Sequence, residues 1–172
     1  MRTSRDPRVV VGVDLSLAGL QALRFAVGEA RRRRVPLRAI RAWQFGPAGY
    51  GLDIGPQTAA LADEAAMTVL SAFQQAMGGL PDDIPVEAQA VEGPPPVVLV
   101  DQAWCADDLL VVGRSRRRRF GPRVDVRCQR TASCPVVTVP APVPSSLAAL
   151  RRELVGEAEA LLRSSGRPRS AA

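Results

Sequence analysis

Short stretches rich in apolar residues alternate along this chain with segments in which apolar residues recur every three or four positions. The short stretches are residues 8–13 (RVVVGV), 37–43 (LRAIRAW), 108–112 (DLLVV) and 136–139 (VVTV). Near-continuous apolar runs are typical of strands that are buried on both faces of a parallel sheet. Residues 86–90 instead alternate apolar with polar side chains, which predicts a half-exposed strand at an edge of the sheet.

The segments between these predicted strands have the spacing of amphipathic helices. The first begins after Ser16, a residue type that caps helices, and ends at the four arginines 31–34. A second helix is predicted over residues 58–77 after a Gly- and Pro-rich surface loop, residues 44–57, and a third over residues 93–106. The helical spacing is carried by Leu20, Leu23, Val27 and Ala30 in the first helix and by Leu61, Ala65, Val69, Phe73 and Met77 in the second.

This alternation of strands and helices predicts an α/β fold. Right-handed crossovers between the strands give a doubly wound five-stranded parallel sheet in the order 3-2-1-4-5, with helices on both faces. The predicted domain covers residues 8–140 and follows a disordered N-terminus, residues 1–7. A proline-rich linker, residues 141–146, then leads to an extra C-terminal amphipathic helix, residues 147–163, and to a disordered tail over residues 164–172.

The basic residues of the chain are all arginine: there are 23, and there is no histidine, lysine or asparagine. A histidine general base, a Ser-His-Asp triad, a histidine-containing zinc site, a Schiff-base lysine and a Walker-type phosphate loop each need a residue that is missing. Most common hydrolase and kinase mechanisms are therefore excluded, and we predict no catalytic residues, no metal ligands and at most a slow ATPase.

Charge and cysteine content indicate which kinds of binding partner and which cellular compartment to expect. A net charge of +6 favours anionic partners, but aromatic residues make up only 4%, which disfavours single-stranded nucleic acid. Three cysteines without a CxxC pair predict packed, reduced thiols. No apolar run has the roughly 18 residues of a membrane span, and the N-terminal run is too short for a signal peptide. These features predict a cytoplasmic protein without membrane partners.

The most promising place for a ligand is the carboxyl end of the sheet between the first and fourth strands, where the winding direction reverses. Asp14 follows the first strand, and its carboxylate can accept hydrogen bonds from a ribose or a nucleobase amine. Ser16 lies two residues further on, and Gly113 follows the fourth strand and begins an arginine-rich loop with Ser115 and Arg116. Asp14 as a turn residue and Ser16 as a helix cap are the structural alternatives.

Five segments occur in an order and spacing that match one known family: VVVGVDLSLAGLQALRFAVGEA, LRAIRAW, VEGPPPVVL, ADDLLVVGR and ASCPVVTVP. Through them the chain resembles the universal stress protein family across residues 8–140. The resemblance implies that Asp14 and Ala42, at the ends of the first and second strands, hold the adenosine of ATP. It also implies a homodimer formed through the last strand and a regulatory role in stress adaptation.

The phosphate loop of the family runs Gly, two residues, Gly, nine residues, Gly and then Ser or Thr, and its backbone amides hold the phosphates. Gly113 fits the first glycine, but Arg116 occupies the second position, and the closing pair falls on Val126 and Arg127. Glycine lets the backbone approach a phosphate closely, which other residues do at a cost of roughly 1–2 kcal/mol. The resemblance therefore implies weak or absent ATP binding.

A second alignment of this loop, made from ASCPVV, also fails to restore the motif. It moves the closing pair to Pro122 and Arg123, with Gly121 just before it, and proline has no amide proton to donate. The loop region is instead rich in guanidinium groups, which can bind phosphate through their side chains. These arginines are Arg114, Arg116, Arg117, Arg118, Arg119, Arg123, Arg127 and Arg130.

Three hypotheses about function remain open at this point. The first is a regulatory binding module with weak or absent ATP binding, which works through protein contacts that include the C-terminal helix. The second is an ATP-binding stress protein, at most a slow ATPase, in which arginines replace the glycine loop. The third is an anion or nucleic-acid binder that uses the arginines between positions 114 and 130.

Overall fold

The sheet of this protein has five parallel strands in the order β3-β2-β1-β4-β5, which confirms the predicted fold. The computed structural model describes residues 6–44, 55–114 and 123–142. The strands are β1 (Val9–Gly12), β2 (Leu37–Trp43), β3 (Val86–Glu92), β4 (Leu109–Arg114) and β5 (Val136–Pro140). The predicted C-terminal helix and tail, most of the linker and of the 44–57 loop, and residues 1–5 lie outside the described residues.

Four helices connect the strands: α1 (Leu17–Arg33), α2 (Gly55–Met77), α3 (Pro95–Gln102) and α4 (Val124–Thr131). Helix α2 begins three residues earlier than predicted, and Pro56 is tolerated there because the first turn of a helix does not use its amide protons. Helix α3 ends four residues earlier than predicted. The amide of Cys105 donates to the carboxylate of Asp108 at 3.1 Å, so a turn replaces the last helical turn.

The core consists of two apolar layers, one on each face of the sheet. Successive valines of β1 point to opposite faces, and all three are fully buried because β1 is the central strand. Val9 and Val11 join the layer under α1 and α2, whose largest side chain is Phe73. Val10 joins the layer under α3 and α4, which also contains Leu110 and Cys128. Helices on both faces complete the doubly wound arrangement.

The amino end of the sheet is held by a buried hydrogen bond and bears a shallow pocket. At the amino end, the buried Asp108 accepts a hydrogen bond from the amide of Arg8 at 3.1 Å, which ties β4 to β1. A shallow pocket of about 280 Å³ opens at the same end, and we call it the amino-edge pocket. It is lined by Arg31, Arg34, Val35, Asp83, Ile84 and Pro85. The segments that follow β1 and β4 leave the sheet at the opposite, carboxyl edge.

Candidate functional site

The carboxyl edge between β1 and β4 is the point where the winding direction of the sheet reverses. Helix α1 follows β1 on one face of the sheet, and α4 follows β4 on the other. A crevice at such a point is the usual ligand site of an open α/β sheet. Three of the predicted site residues lie at strand ends on this edge: Asp14 just after β1, Ala42 near the end of β2 and Gly113 near the end of β4.

Asp14 organises the turn from β1 into α1. Its Oδ1 accepts a hydrogen bond from the amide of Ser16 at 2.8 Å, and the hydroxyl of Ser16 accepts one from the amide of Gly19 at 3.0 Å. Ser16 is therefore the N-cap of α1, as its residue type predicted. The Asp14 side chain is half-buried, and no donor among the described residues is hydrogen-bonded to its Oδ2. One carboxylate oxygen thus holds the turn, and the second has no such structural role within the described chain.

The end of β4 approaches the first turn of α1 very closely at Gly113. A Cβ atom on Gly113 would lie 2.8 Å from both the carbonyl carbon of Ala18 and the amide nitrogen of Gly19. A Cβ atom on Gly19 would in turn overlap the Oδ1 of Asp14 and lie 2.6 Å from its carbonyl oxygen. These two glycines allow β4, α1 and the Asp14 turn to meet at one point of the carboxyl edge.

The end of β2 supplies a small residue and a cation to the same edge. Ala42 is half-buried and packs against the apolar layer under α3 and α4. The neighbouring Arg41 donates from Nη1 to the carbonyl oxygen of Val13 at 3.3 Å, so its guanidinium contacts the residue that precedes Asp14. Sequence analysis did not single out Arg41, because only the pairing of β1 with β2 brings its side chain to this turn.

A second charged group, formed by Arg123 and Asp125, lies at the start of α4. Arg123 donates to Asp125 from Nε at 3.1 Å and from Nη2 at 2.6 Å, a two-pronged ion pair in which Asp125 is buried. Arg114, Arg127 and Arg130 are exposed. The other predicted residues of the phosphate loop, Ser115, Arg116 and Gly121, lie outside the described residues.

The net positive charge of this protein is carried outside the described part of the chain. Acidic side chains slightly outnumber arginines within residues 6–44, 55–114 and 123–142. The net charge of +6 therefore comes from the remaining segments, of which residues 116–119 are four consecutive arginines. A general attraction for anions is a property of those segments, and the site at the carboxyl edge has a mixed charge.

Two of the three cysteines are buried and have no features of a reactive thiol, whereas Cys105 is partly exposed. Cys128 and Cys134 are free thiols buried under α3 and α4. Burial raises the pKa of Cys128 to about 11 and also raises the pKa of Cys134, so both thiols stay protonated near neutral pH. No cluster of metal-ligating side chains occurs among the described residues. Of the helices that the structure describes, none combines the length and apolarity needed to cross a membrane.

Comparison with known proteins identifies the class of protein to which this fold belongs. The model of the universal stress protein family matches residues 7–140. The chain therefore belongs to the universal stress protein family. No curated protein matches the sequence.

Solved structures of universal stress proteins share the fold over nearly their whole length. One from Archaeoglobus fulgidus is 25% identical, covers 78% of this chain and 99% of that chain, and has a TM-score of 0.55. Another, solved in complex with cAMP, is 25% identical, covers 79% of this chain and 98% of that chain, and also has a TM-score of 0.55. One from Lactobacillus plantarum is 22% identical, with coverages of 80% and 99% and a TM-score of 0.55.

Proposed function

We propose that this protein is a regulatory binding module of the stress response that holds the adenosine part of an adenine nucleotide at the carboxyl edge. In this proposal ATP binds weakly or not at all, because the phosphates find no glycine loop. The observation that carries the proposal is the Asp14 carboxylate, which has one oxygen committed to the turn and a second oxygen without a partner in the described chain.

The chemistry of this edge suits a nucleoside. The free oxygen of Asp14 is an acceptor, and ribose hydroxyls and the adenine amino group are donors. Ala42 adds a small, half-buried apolar side chain near the end of β2. The 25% identical universal stress protein in complex with cAMP supports an adenine ligand for this chain as well.

Binding of adenosine, AMP and ATP to the purified protein, measured by isothermal titration calorimetry, tests this proposal. Asp14→Asn is the sharpest variant: its amide oxygen can still accept from Ser16, while an NH₂ group replaces the free acceptor. We expect adenosine affinity to fall at least about tenfold, which corresponds to the loss of one hydrogen bond to a charged group. Asp101→Asn changes an exposed carboxylate on α3 in the same way and should bind adenosine like the wild type.

Two results would contradict the adenosine site. Asp14→Asn could bind adenosine as tightly as the wild type, which would remove Asp14 from the site. Alternatively, neither adenosine nor any adenine nucleotide could bind the wild type at millimolar concentration, which would leave the crevice without a nucleotide. In the second case the module would act through protein contacts alone.

A second candidate function is ATP or anion binding through the arginines that follow β4. It is favoured by Arg114, Arg127 and Arg130, which are exposed and make no ion pair with another described residue. This binding would be electrostatic, so its affinity would fall steeply as salt rises. Adenosine carries no charge, and its binding at Asp14 should depend little on salt. Titrations at 50 mM and 300 mM salt separate the two functions.

Assembly and compartment are further parts of the proposal. We place the protein in the cytoplasm as a homodimer, with residues 147–163 available to a protein partner. Free thiols suit a reducing compartment, and β5 is an edge strand with half-buried valines, which suits pairing with a second copy. Light scattering coupled to size-exclusion chromatography should give the mass of a dimer of the 18.3 kDa chain, and a monomer mass would contradict the homodimer.

A further inference from the structure

The ion pair between Arg123 and Asp125 lies on the β4 side of the proposed adenosine site. Helix α4 connects two parallel strands, so it starts on the carboxyl side of the sheet and runs toward the amino side. Arg123 directly precedes this helix and Asp125 lies in its first turn. The crevice of an open sheet lies between β1 and β4, so a nucleotide that follows it and whose adenosine is held at β1 and β2 would direct its phosphates toward β4, the strand that precedes α4.

The pair has the geometry with which arginine otherwise binds a phosphate. Two nitrogens of the guanidinium, Nε and Nη2, each donate to a different carboxylate oxygen of Asp125. Parallel two-pronged bonds of this kind are the usual mode of arginine recognition for both carboxylates and phosphates. Asp125 therefore fills the position that a phosphate would take on this edge of Arg123.

The pair is also hard to open for an incoming ligand. The Asp125 side chain is only 7% exposed, whereas that of Arg123 is 31% exposed. Separating them would leave a buried carboxylate without its counter-ion, which is strongly unfavourable. The closed pair has no net charge, so it offers a phosphate little attraction.

We propose that Asp125 sets the ligand specificity of the carboxyl edge by occupying Arg123, so that the site favours nucleosides and singly charged nucleotides over polyphosphates. This inference rests on the proposed adenosine site. It makes Asp125 an internal substitute for a phosphate group. It also assigns the weak binding of ATP to an ion pair within the protein, in addition to the missing glycines.

The test is the ratio of ATP affinity to adenosine affinity, measured by calorimetry on the wild type and on three variants. In the wild type the added phosphates should give no gain in affinity. Asp125→Asn frees the charge of Arg123, and the ratio should rise about tenfold, the typical effect of a hydrogen bond to a charged group. The double variant Arg123→Gln with Asp125→Asn should return the ratio to the wild-type value. Asp101→Asn, with the same change at an exposed position, should not alter it.

The outcomes separate this inference from the proposed function. If adenosine binds but Asp125→Asn leaves the ratio unchanged, the specificity role of Asp125 is wrong and the adenosine site stands. If nothing binds to any of these proteins, both are wrong. Should Asp125→Asn fail to fold by circular dichroism, the wild type can still refute the inference, since a tenfold preference for ATP over adenosine would overturn it.

Discussion

Gly113→Ala should destabilise the fold and weaken ligand binding through one local clash. The new Cβ would lie 2.8 Å from two backbone atoms, the carbonyl carbon of Ala18 and the amide nitrogen of Gly19. Carbon atoms in favourable contact are about 3.5–4.0 Å apart, so the backbone has to move by about 0.7 Å or more. A backbone atom cannot rotate away as a side chain can, and the first turn of α1 must shift as a whole.

The size of the effect follows from this enforced shift. Overpacking of a tight contact typically costs 1–3 kcal/mol, and a loss of about 2 kcal/mol in the free energy of unfolding is expected here. For a chain of this size, that loss lowers the Tm by roughly 4–8 °C. Because Gly19 donates to the Ser16 cap and adjoins the Asp14 turn, adenosine affinity should fall in the same variant.

The assay is urea unfolding followed by circular dichroism, with Gly28→Ala as the matched control. Gly28 lies in the same helix α1, and a Cβ added there meets no atom within 4 Å. Alanine in a helix is more favourable than glycine by up to about 1 kcal/mol, so this variant should be more stable than the wild type. The two variants make the same chemical change with opposite expected signs. If Gly113→Ala is as stable as the wild type, the close approach of β4 to α1 is refuted.

Two further predictions concern thiol reactivity and pH. Because its pKa is about 11, Cys128 should resist iodoacetamide at pH 8 in the folded protein and react only in denaturant. Mass spectrometry measures this labelling, and labelling at the rate of a free thiol would contradict the burial of Cys128. Hydrogen bonds from Arg32, and to a smaller extent from Arg33, lower the pKa of Glu29. The ion pairs of Glu29 therefore stabilise the fold above pH 4.5, and this stabilisation is lost as the pH falls through the lowered pKa. Glu29→Gln should therefore cost less than about 1 kcal/mol at pH 7, and the cost should shrink as the pH falls through the lowered pKa, whereas a cost that does not change with pH would argue against the ion pairs.

Asp14 has a structural role that is compatible with the functional role we propose for it, whereas Ser16 has a structural role alone among the observed contacts. Ser16 is the helix cap that its residue type predicted, and nothing further is required of it. Asp14 is also a turn residue, yet only one of its carboxylate oxygens serves the turn. In the proposed site, this single hydrogen bond orients the carboxylate, and the other oxygen is the one that accepts from the ligand. This division of roles is the reason that Asp14→Asn is a more informative variant than Asp14→Ala.

The strand order, the two apolar layers and the N-cap of α1 could all be predicted from the sequence. Each depends on a local pattern: apolar runs such as residues 8–13, the four-residue spacing from Leu61 to Met77, and a serine before a helical segment. Burial of apolar surface and satisfaction of backbone groups act on such patterns directly, so the pattern determines the element. The carboxyl-edge location of Asp14, Ala42 and Gly113 followed from the predicted topology in the same way.

The tertiary structure alone decided which charged groups meet and where helices stop. Helix α3 ends at Gln102 because Asp108 takes the amide of Cys105, and Arg41 reaches the Asp14 turn because β2 lies beside β1. Asp125, the single acid among many arginines of its region, is buried and paired with Arg123. Electrostatic partners depend on distances of a few ångströms and on burial, and neither quantity has a periodicity along the chain. The sequence by itself therefore determined the framework and the edge of the proposed site, and only the packing of the elements decided which charged groups of the described chain are paired.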